Sequence, residues 1–424
     1  MVGDFFMLHP YFKRNQHYSP KVLTKPLGTL GISVVIPSYN EPNLWKSLES
    51  LMNCQLPQSA VEVLVVINYP EGAPSYVVEN ANDCIKIVNQ ANDQKRNAAF
   101  QIIPINASNL PKKYAGVGLA RKIGMDEATW RLSQVENEVK IIACFDADAT
   151  CSENYLVELE KLWRSYPETE ACSIRYAHPT EGDEFDQKIY SGITQYELHL
   201  RYYIQAGKYV GHPFSYHTIG SSMACSADAY MRYGGMNKNK AGEDFYFLQK
   251  IIPHGKFREL NGCCIYPSPR PSYRVPFGTG RAMTKFMENS EDNYLTYNLN
   301  SWLALKPFIE DSKQLYGANN NAAENYLLKQ EECLQEFLRI NNFIVAIEEV
   351  NANTSTPESF QKRFFQWFDA FMLLKYLNFV SETYFQKVPI IQEAYKFAQL
   401  AGIPLLSNFI SDTNLLLSYR TWEE

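Results

Sequence analysis

Two aspartates one residue apart, Asp146 and Asp148, stand just past the apolar run Ile141-Ile-Ala-Cys-Phe145. Hard carboxylate oxygens so placed suit Mg²⁺ or Mn²⁺ bound to a diphosphate. The same triplet also fits a helix N-cap beside a solvated acid. A second group, Pro37-Ser-Tyr39-Asn40-Glu41, follows the run Ile32–Ile36 directly. A sharp turn there presents an aromatic face and a carboxylate, which together could stack on and hydrogen-bond a base or ribose. An ordinary strand-to-helix turn with Asn40 as cap fits the same residues. Gly116-Val-Gly118-Leu-Ala-Arg121-Lys122 opens a helix whose amides and Arg121 could meet phosphate oxygens or a base. It lacks the spacing of a dinucleotide-binding loop.

Two further groups lie later in the chain. In Gly242-Glu243-Asp244-Phe245 an acid pair begins a helix, either as complements to its dipole or with Asp244 as a general base toward a hydroxyl. The stretch from Pro267 to Arg281 carries Arg270, Arg274 and Arg281 among glycines. It reads as a loop able to close over an anionic leaving group, or as a solvated loop. His212 and His217 could complete a metal shell, although a structural histidine is the commoner role.

The elements that must hold these residues are legible in outline. Near-continuous apolar runs at Ile32–Ile36, Val61–Ile67, Phe100–Ile105 and Ile141–Phe145 alternate with helical patterns at about 43–52 and 118–130, with a polar segment after Ile67. Such alternation predicts a mostly parallel sheet covered on both faces, with ligands at the carboxyl ends of its strands. Residues 1–30, with Pro10, Pro20 and Pro26, read as an extended lead-in. Residues 31–295 read as the α/β domain and 296–424 as an all-helical C-terminal appendage. In the last, 322–350 and 357–384 are expected as two long amphipathic helices. Thr356-Pro357 reads as a cap and first-turn proline, and the stripe Phe360, Phe364, Trp367, Phe368, Phe371 as packing.

Composition excludes several classes. A net charge of −6, with the acid excess in residues 301–424, argues against a general nucleic-acid binder. Nine cysteines without a CxxC pair fit buried reduced thiols rather than zinc or a disulfide framework. The N-terminal residues lack the pattern of a signal peptide, and no apolar run is long enough for a transmembrane segment. The expected location is cytoplasmic, with peripheral attachment to the inner face of a membrane as the variant.

The order of the motifs, from Ile32–Glu41 through Gly118/Arg121 and Asp146-Ala-Asp148 to Gly242-Glu-Asp244, resembles the family-2 glycosyltransferases over roughly residues 30–270. Ser222–Asn237 is similar to that family's acceptor-side strand and following helix. The resemblance implies a GT-A-type nucleotide-sugar domain of two abutting halves on a mixed, mostly parallel sheet. It implies that Tyr39 and Glu41 hold the nucleoside, with Arg121 near the base or diphosphate. Asp146 and Asp148 would engage Mn²⁺ or Mg²⁺ and the donor. Beside the resemblance, the residues themselves put Glu243 among the substrate-binding candidates and Arg270 and Arg274 against the departing diphosphate. Asp244 would be the base of an inverting displacement. The implied reaction moves one sugar from a nucleotide-diphosphate sugar, a UDP-sugar in the first instance, to a glycan or lipid-linked acceptor. Two departures stand out. Asn68 follows the second strand where the family carries an acid, so base recognition is open. The Gln-x-x-Arg-Trp element and membrane helices of processive members are absent, which favours single addition. The alternatives are a catalytically silent nucleotide-sugar-binding or assembly protein, a sugar nucleotidyltransferase, or a retaining transferase.

Overall fold

The computed structural model describes residues 10–14, 19–95, 97–274, 278–288, 293–406 and 411–424. The chain divides into two compact units, one of residues 1–179 and 218–282, the other of 180–217 and 283–424.

The first unit is built on β1 (Leu30–Ser38), β2 (Ala60–Pro70), β3 (Phe100–Leu110), β4 (Ile141–Cys144), β5 (Thr150–Cys151), β6 (Ala171–Tyr176), β7 (Met223–Ser226) and β8 (Phe257–Tyr266). They form one sheet in the order β3-β2-β1-β4-β7-β6-β8-β5. The strands from β3 to β4 run parallel, and β8 is parallel to β6. Strand β7 is antiparallel to both β4 and β6, and β5 to β8. The fold is therefore the mixed, mostly parallel α/β sheet expected.

Burial on both faces explains the unbroken apolar runs. Ile32, Val34 and Ile36 share one core with Leu44, Leu48 and Leu51 of the helix Leu44–Met52 and with Val88. On the other face Val35 meets the helix Val117–Ser133 at Gly124. A Cβ there would stand 2.4 Å from Val35 Cγ1, so only glycine lets helix and sheet approach this closely. Glu62, buried within β2, is charge-paired from that helix, with Arg131 Nε and Nη2 donating to its carboxylate at 2.6 and 2.7 Å. Most of the polar segment after β2 is in fact the helix Ser75–Gln94, whose buried Val77, Ala81, Cys84, Val88 and Ala91 recur at helical spacing. Small side chains make that stripe weakly apolar.

The lead-in is not wholly extended, since Pro10–Arg14 forms a short helix with Tyr11 and Phe12 buried. Tyr11 donates to Asp126 at 2.5 Å, the amides of Lys21 and Val22 donate to Glu127, and Arg131 donates to the Thr24 carbonyl. Buried charges on one side of the helix Val117–Ser133 thus strap the lead-in to it.

The second unit is helical, with a short antiparallel pair, β9 (Leu295–Thr296) and β10 (Val388–Pro389). Its core joins Leu198, Tyr202 and Ala206 of the helix Gln187–Tyr209 to Trp302, Phe308, Phe337, Phe364, Tyr376 and Phe397. Residues 180–217, read from sequence as part of the α/β domain, therefore pack with the C-terminal helices. Phe360, Phe364 and Phe368 of the aromatic stripe are buried in this core. The two long helices are broken. Residues 322–350 divide among Asn320–Leu327, Glu332–Ile340 and Phe343–Ala352, with Asn342 at φ 53° turning the chain. The second breaks into Pro357–Trp367 and Ala370–Thr383, where the Asp369 side chain accepts from the Met372 amide. Thr356 caps the first of these, accepting from the Ser359 amide at 3.2 Å, with Pro357 in the first turn. The nine cysteines are free thiols, eight of them buried.

Candidate active site

Parallel pairing brings the carboxyl ends of four strands to one edge, with Val35 opposite Cys144, Ser38 opposite Ile67, and Ile67 opposite Asn106. The chain leaving each strand lines a cleft of about 620 Å³ within the first unit. Tyr39, Glu41, Arg121, Asp146, Asp148, Glu243, Asp244, Arg270 and Arg274, all singled out from sequence, line it together. Local backbone explains several positions. Asn40 takes φ 46°, turning the chain sharply after β1, and caps no helix. Asp146 accepts the Ala149 amide on its carbonyl, so the two aspartates sit in a tight turn between β4 and β5 rather than at a helix start. Gly242, at φ 71°, begins the helix Glu243–Leu248 and swings both acids into the cleft wall.

Two guanidinium clusters organise the carboxylates. Buried Arg121 donates through Nη1 to Glu243 and through Nη2 to Asp146 at 2.9 Å. Arg270 Nη2 donates to Glu41 at 2.6 Å and to Asp148 at 2.9 Å, while Arg274 donates to Glu41 and to the Asn40 carbonyl. Asp244 accepts its neighbour's amide, that of Phe245, on Oδ1 at 2.7 Å. Among the described residues nothing donates to its Oδ2. Gly220 stands against this group. A Cβ on it would lie 2.6 Å from Arg121 Nη1 and 2.9 Å from Asp244 Oδ2.

The electrostatics follow from burial and crowding. Asp148 is pushed up to about 6 by burial and by the like charges of Asp146 and Glu41. Burial raises Glu243 to about 7, against the pull of Arg121 and with a further push from Asp244. Asp244 also lies above its ordinary value, chiefly from burial. Burial disfavours charge on Arg121, but Glu243 and Asp146 outweigh it and hold the guanidinium more firmly protonated. The cleft therefore holds more negative charge than its arginines comfortably neutralise.

Other expected residues fall elsewhere. Arg281 is not among the lining residues and sits by the Tyr273 ring, while residues 275–277 of its loop lie outside those described. His212 Nε2 lies 3.1 Å from the Phe368 carbonyl and His217 Nε2 3.5 Å from Glu423, both in the helical unit. Asn68 lines the cleft with its Oδ1 buried and without a hydrogen-bond partner. Sequence reading missed Gly220, Glu71, Lys112 and Lys240, which also line it. A lone glycine and scattered lysines carry no spacing signal, and only the folded edge assembles them.

The lining offers carboxylate oxygens and neither histidine nor cysteine. Among the described residues no group of three or more ligating side chains is arranged to hold a metal. That donor set fits a hard cation taking one or two protein carboxylates and completing its shell from phosphate and water.

Residues 33–230 match a family model described as glycosyl transferase family 2. No curated protein matches the chain. Among solved structures, S. aureus TarS 1-349 in complex with UDP-GlcNAc aligns at TM-score 0.39 and 13% identity, over 80% of this chain and 91% of that one. The same fragment in complex with UDP aligns at TM-score 0.38 and 12% identity, over the same shares. S. aureus TarS aligns at TM-score 0.37 and 14% identity, over 76% of this chain and 54% of that one.

Proposed function

We propose, from the match of residues 33–230 to the model described as glycosyl transferase family 2, that this chain moves a single sugar from a nucleotide-diphosphate sugar to a hydroxyl of a glycan or lipid-linked acceptor. The observation that carries the reading is the convergence of Tyr39, Glu41, Arg121, Asp146, Asp148, Asp244, Arg270 and Arg274 on one cleft at the strands' carboxyl edge. No helix among the described residues is long and apolar enough to cross a membrane.

In this reading Tyr39 stacks on the nucleoside and Glu41 hydrogen-bonds it. Asn68, with its orphaned buried Oδ1, receives a donor from the base. The imide N–H of a uracil is one such donor, which is compatible with a UDP-sugar. Arg270 and Arg274 now neutralise Glu41 and Asp148, and the same guanidiniums turn to the diphosphate as it arrives. Asp146 and Asp148 would hold Mn²⁺ or Mg²⁺, which stabilises the charge on the departing nucleotide. Arg121 fixes Glu243 and Asp146, leaving Asp244 Oδ2 as the oxygen available to take the acceptor's proton. Its raised proton affinity suits that role. Attack from the face opposite the leaving group gives inversion.

The reading is tested by incubating the protein with UDP-, GDP-, CMP- and dTDP-sugars and Mn²⁺ and following release of the free nucleotide (UDP, GDP, CMP or dTDP). Release from one nucleotide class, abolished in Asp244→Asn with donor binding intact, is the expected result. Asp244→Asn turnover equal to the unaltered protein would remove Asp244 as the base.

A further inference from the structure

Four ammonium groups gather at one edge of the cleft in a chain of net charge −6. Lys112 and Lys113 follow β3, and Lys238 and Lys240 lie in the loop before the helix Glu243–Leu248. Two glycines let these stretches touch. A Cβ on Gly116 would stand 3.3 Å from Lys240 Cα, and one on Gly118 2.0 Å from the Asn239 carbonyl oxygen. Tyr114 stands between the lysines, exposed, with Lys113 Nζ 5.2 Å and Lys238 Nζ 5.8 Å from its ring centroid. Lys112 and Lys240 line the cleft itself, whereas Lys113, Tyr114 and Lys238 extend the group beyond it.

No carboxylate among the described residues is paired directly with them. None of the four makes an ion pair among the described residues, while Arg121, Arg270 and Arg274 are each held by carboxylates. The positive end of the helix Val117–Ser133 opens beside Lys240 at Gly116 and adds to the same field. Exposed ammonium groups that are not tied up in ion pairs are free to meet an incoming anion.

We propose that this rim binds the acceptor, and that the acceptor is anionic, a carbohydrate carrying phosphate groups. Tyr114 offers a face for a sugar ring, and the lysines meet the phosphates as point charges. The donor's diphosphate is the other source of phosphate at this cleft. Lys113 and Lys238 lie outside the cleft lining, so the surface continues past the donor cavity. This inference rests on the glycosyltransferase reading above for the word acceptor; the anion site itself does not.

The test uses the full chain, inorganic polyphosphate as the anionic probe and dextran as the neutral one, with binding followed by titration calorimetry at two salt concentrations. Nucleotide-sugar binding is measured separately by thermal shift. The unaltered protein is expected to bind polyphosphate in preference to dextran and to lose affinity with salt. The pair Lys113→Gln/Lys238→Gln should weaken polyphosphate binding roughly tenfold, about threefold per charge, with nucleotide-sugar shifts unchanged. Equal affinity for polyphosphate and dextran, or no loss in the double variant, overturns the proposal. Parallel loss of polyphosphate and nucleotide-sugar binding also overturns it, by assigning the lysines to the donor. Polyphosphate binding lost in the double variant, with no nucleotide-sugar shift in any protein, keeps the anion site and contradicts the transferase reading instead.

Discussion

At the residue scale the site is a contest between crowded carboxylates and a few guanidiniums. Burial raises Asp244 above its ordinary value, so a base at this position loses activity on acidification earlier than an exposed aspartate would. The acidic limb of the pH–rate profile is therefore expected at higher pH than an exposed aspartate would give. A limb near pH 4 would assign the proton transfer to a solvated group. Gly220 gives a second expectation. Its missing side chain is what allows Arg121 and Asp244 to stand beside the backbone, and the Arg121 guanidinium is held from two sides. Gly220→Ala should reduce transfer by roughly tenfold or more while leaving the melting temperature within a few degrees, because it displaces side-chain ends rather than core. Kinetics beside thermal denaturation would show both. The motif residues were legible because acids and arginines follow apolar runs. Gly220 was not, since its importance is a distance to Arg121, 99 positions before it, and to Asp244, 24 positions after it.

At the element scale the helix Val117–Ser133 does most of the positioning. It carries Arg121 to the cleft, closes on the sheet at Gly124, and pairs Arg131 with Glu62 inside β2. Removing one partner of a fully buried pair leaves the other charge uncompensated. Glu62→Ala is thus expected to cost about 3–5 kcal/mol in urea unfolding; a loss under 1 kcal/mol would mean that water reaches Arg131. Strands β1 to β4 could be read from sequence because two-sided burial demands continuous apolar residues. The helix Ser75–Gln94 escaped because alanine and cysteine serve its buried stripe. The breaks at Asn342 and Asp369 escaped because each depends on one residue's backbone or cap against an otherwise periodic background.

At the scale of the whole molecule, the division into units does not follow the chain. The helix Gln187–Tyr209 buries Leu198, Tyr202 and Ala206 among residues beyond 295, with Tyr202 edge-on to Phe397 at 5.7 Å. Periodicity reports that this helix has an apolar face but not which distant residues cover it, which is why the boundary at 295 missed it. A chain ending at 295 is accordingly expected to aggregate, judged by light scattering, because that face would meet water. The helical unit also carries a pH sensitivity. Burial lowers His212 to about 4, so its contribution to stability is present above the unfolded value near 6.5 and is lost as pH falls toward 4. About 2 kcal/mol should be gone by pH 5, and His212→Gln should flatten that part of the stability profile.

The central claim, that the strand-edge cleft is a nucleotide-sugar site whose aspartates act through a divalent cation, is tested most directly by thermal shift. The unaltered protein and Asp148→Ala would be compared with UDP-sugars in the presence and absence of Mn²⁺. Metal-dependent stabilisation of the unaltered protein that disappears in Asp148→Ala is the predicted result, since a ligand bound only by the folded state raises its stability. Stabilisation of equal size in both proteins, or in neither at millimolar donor, would contradict the account.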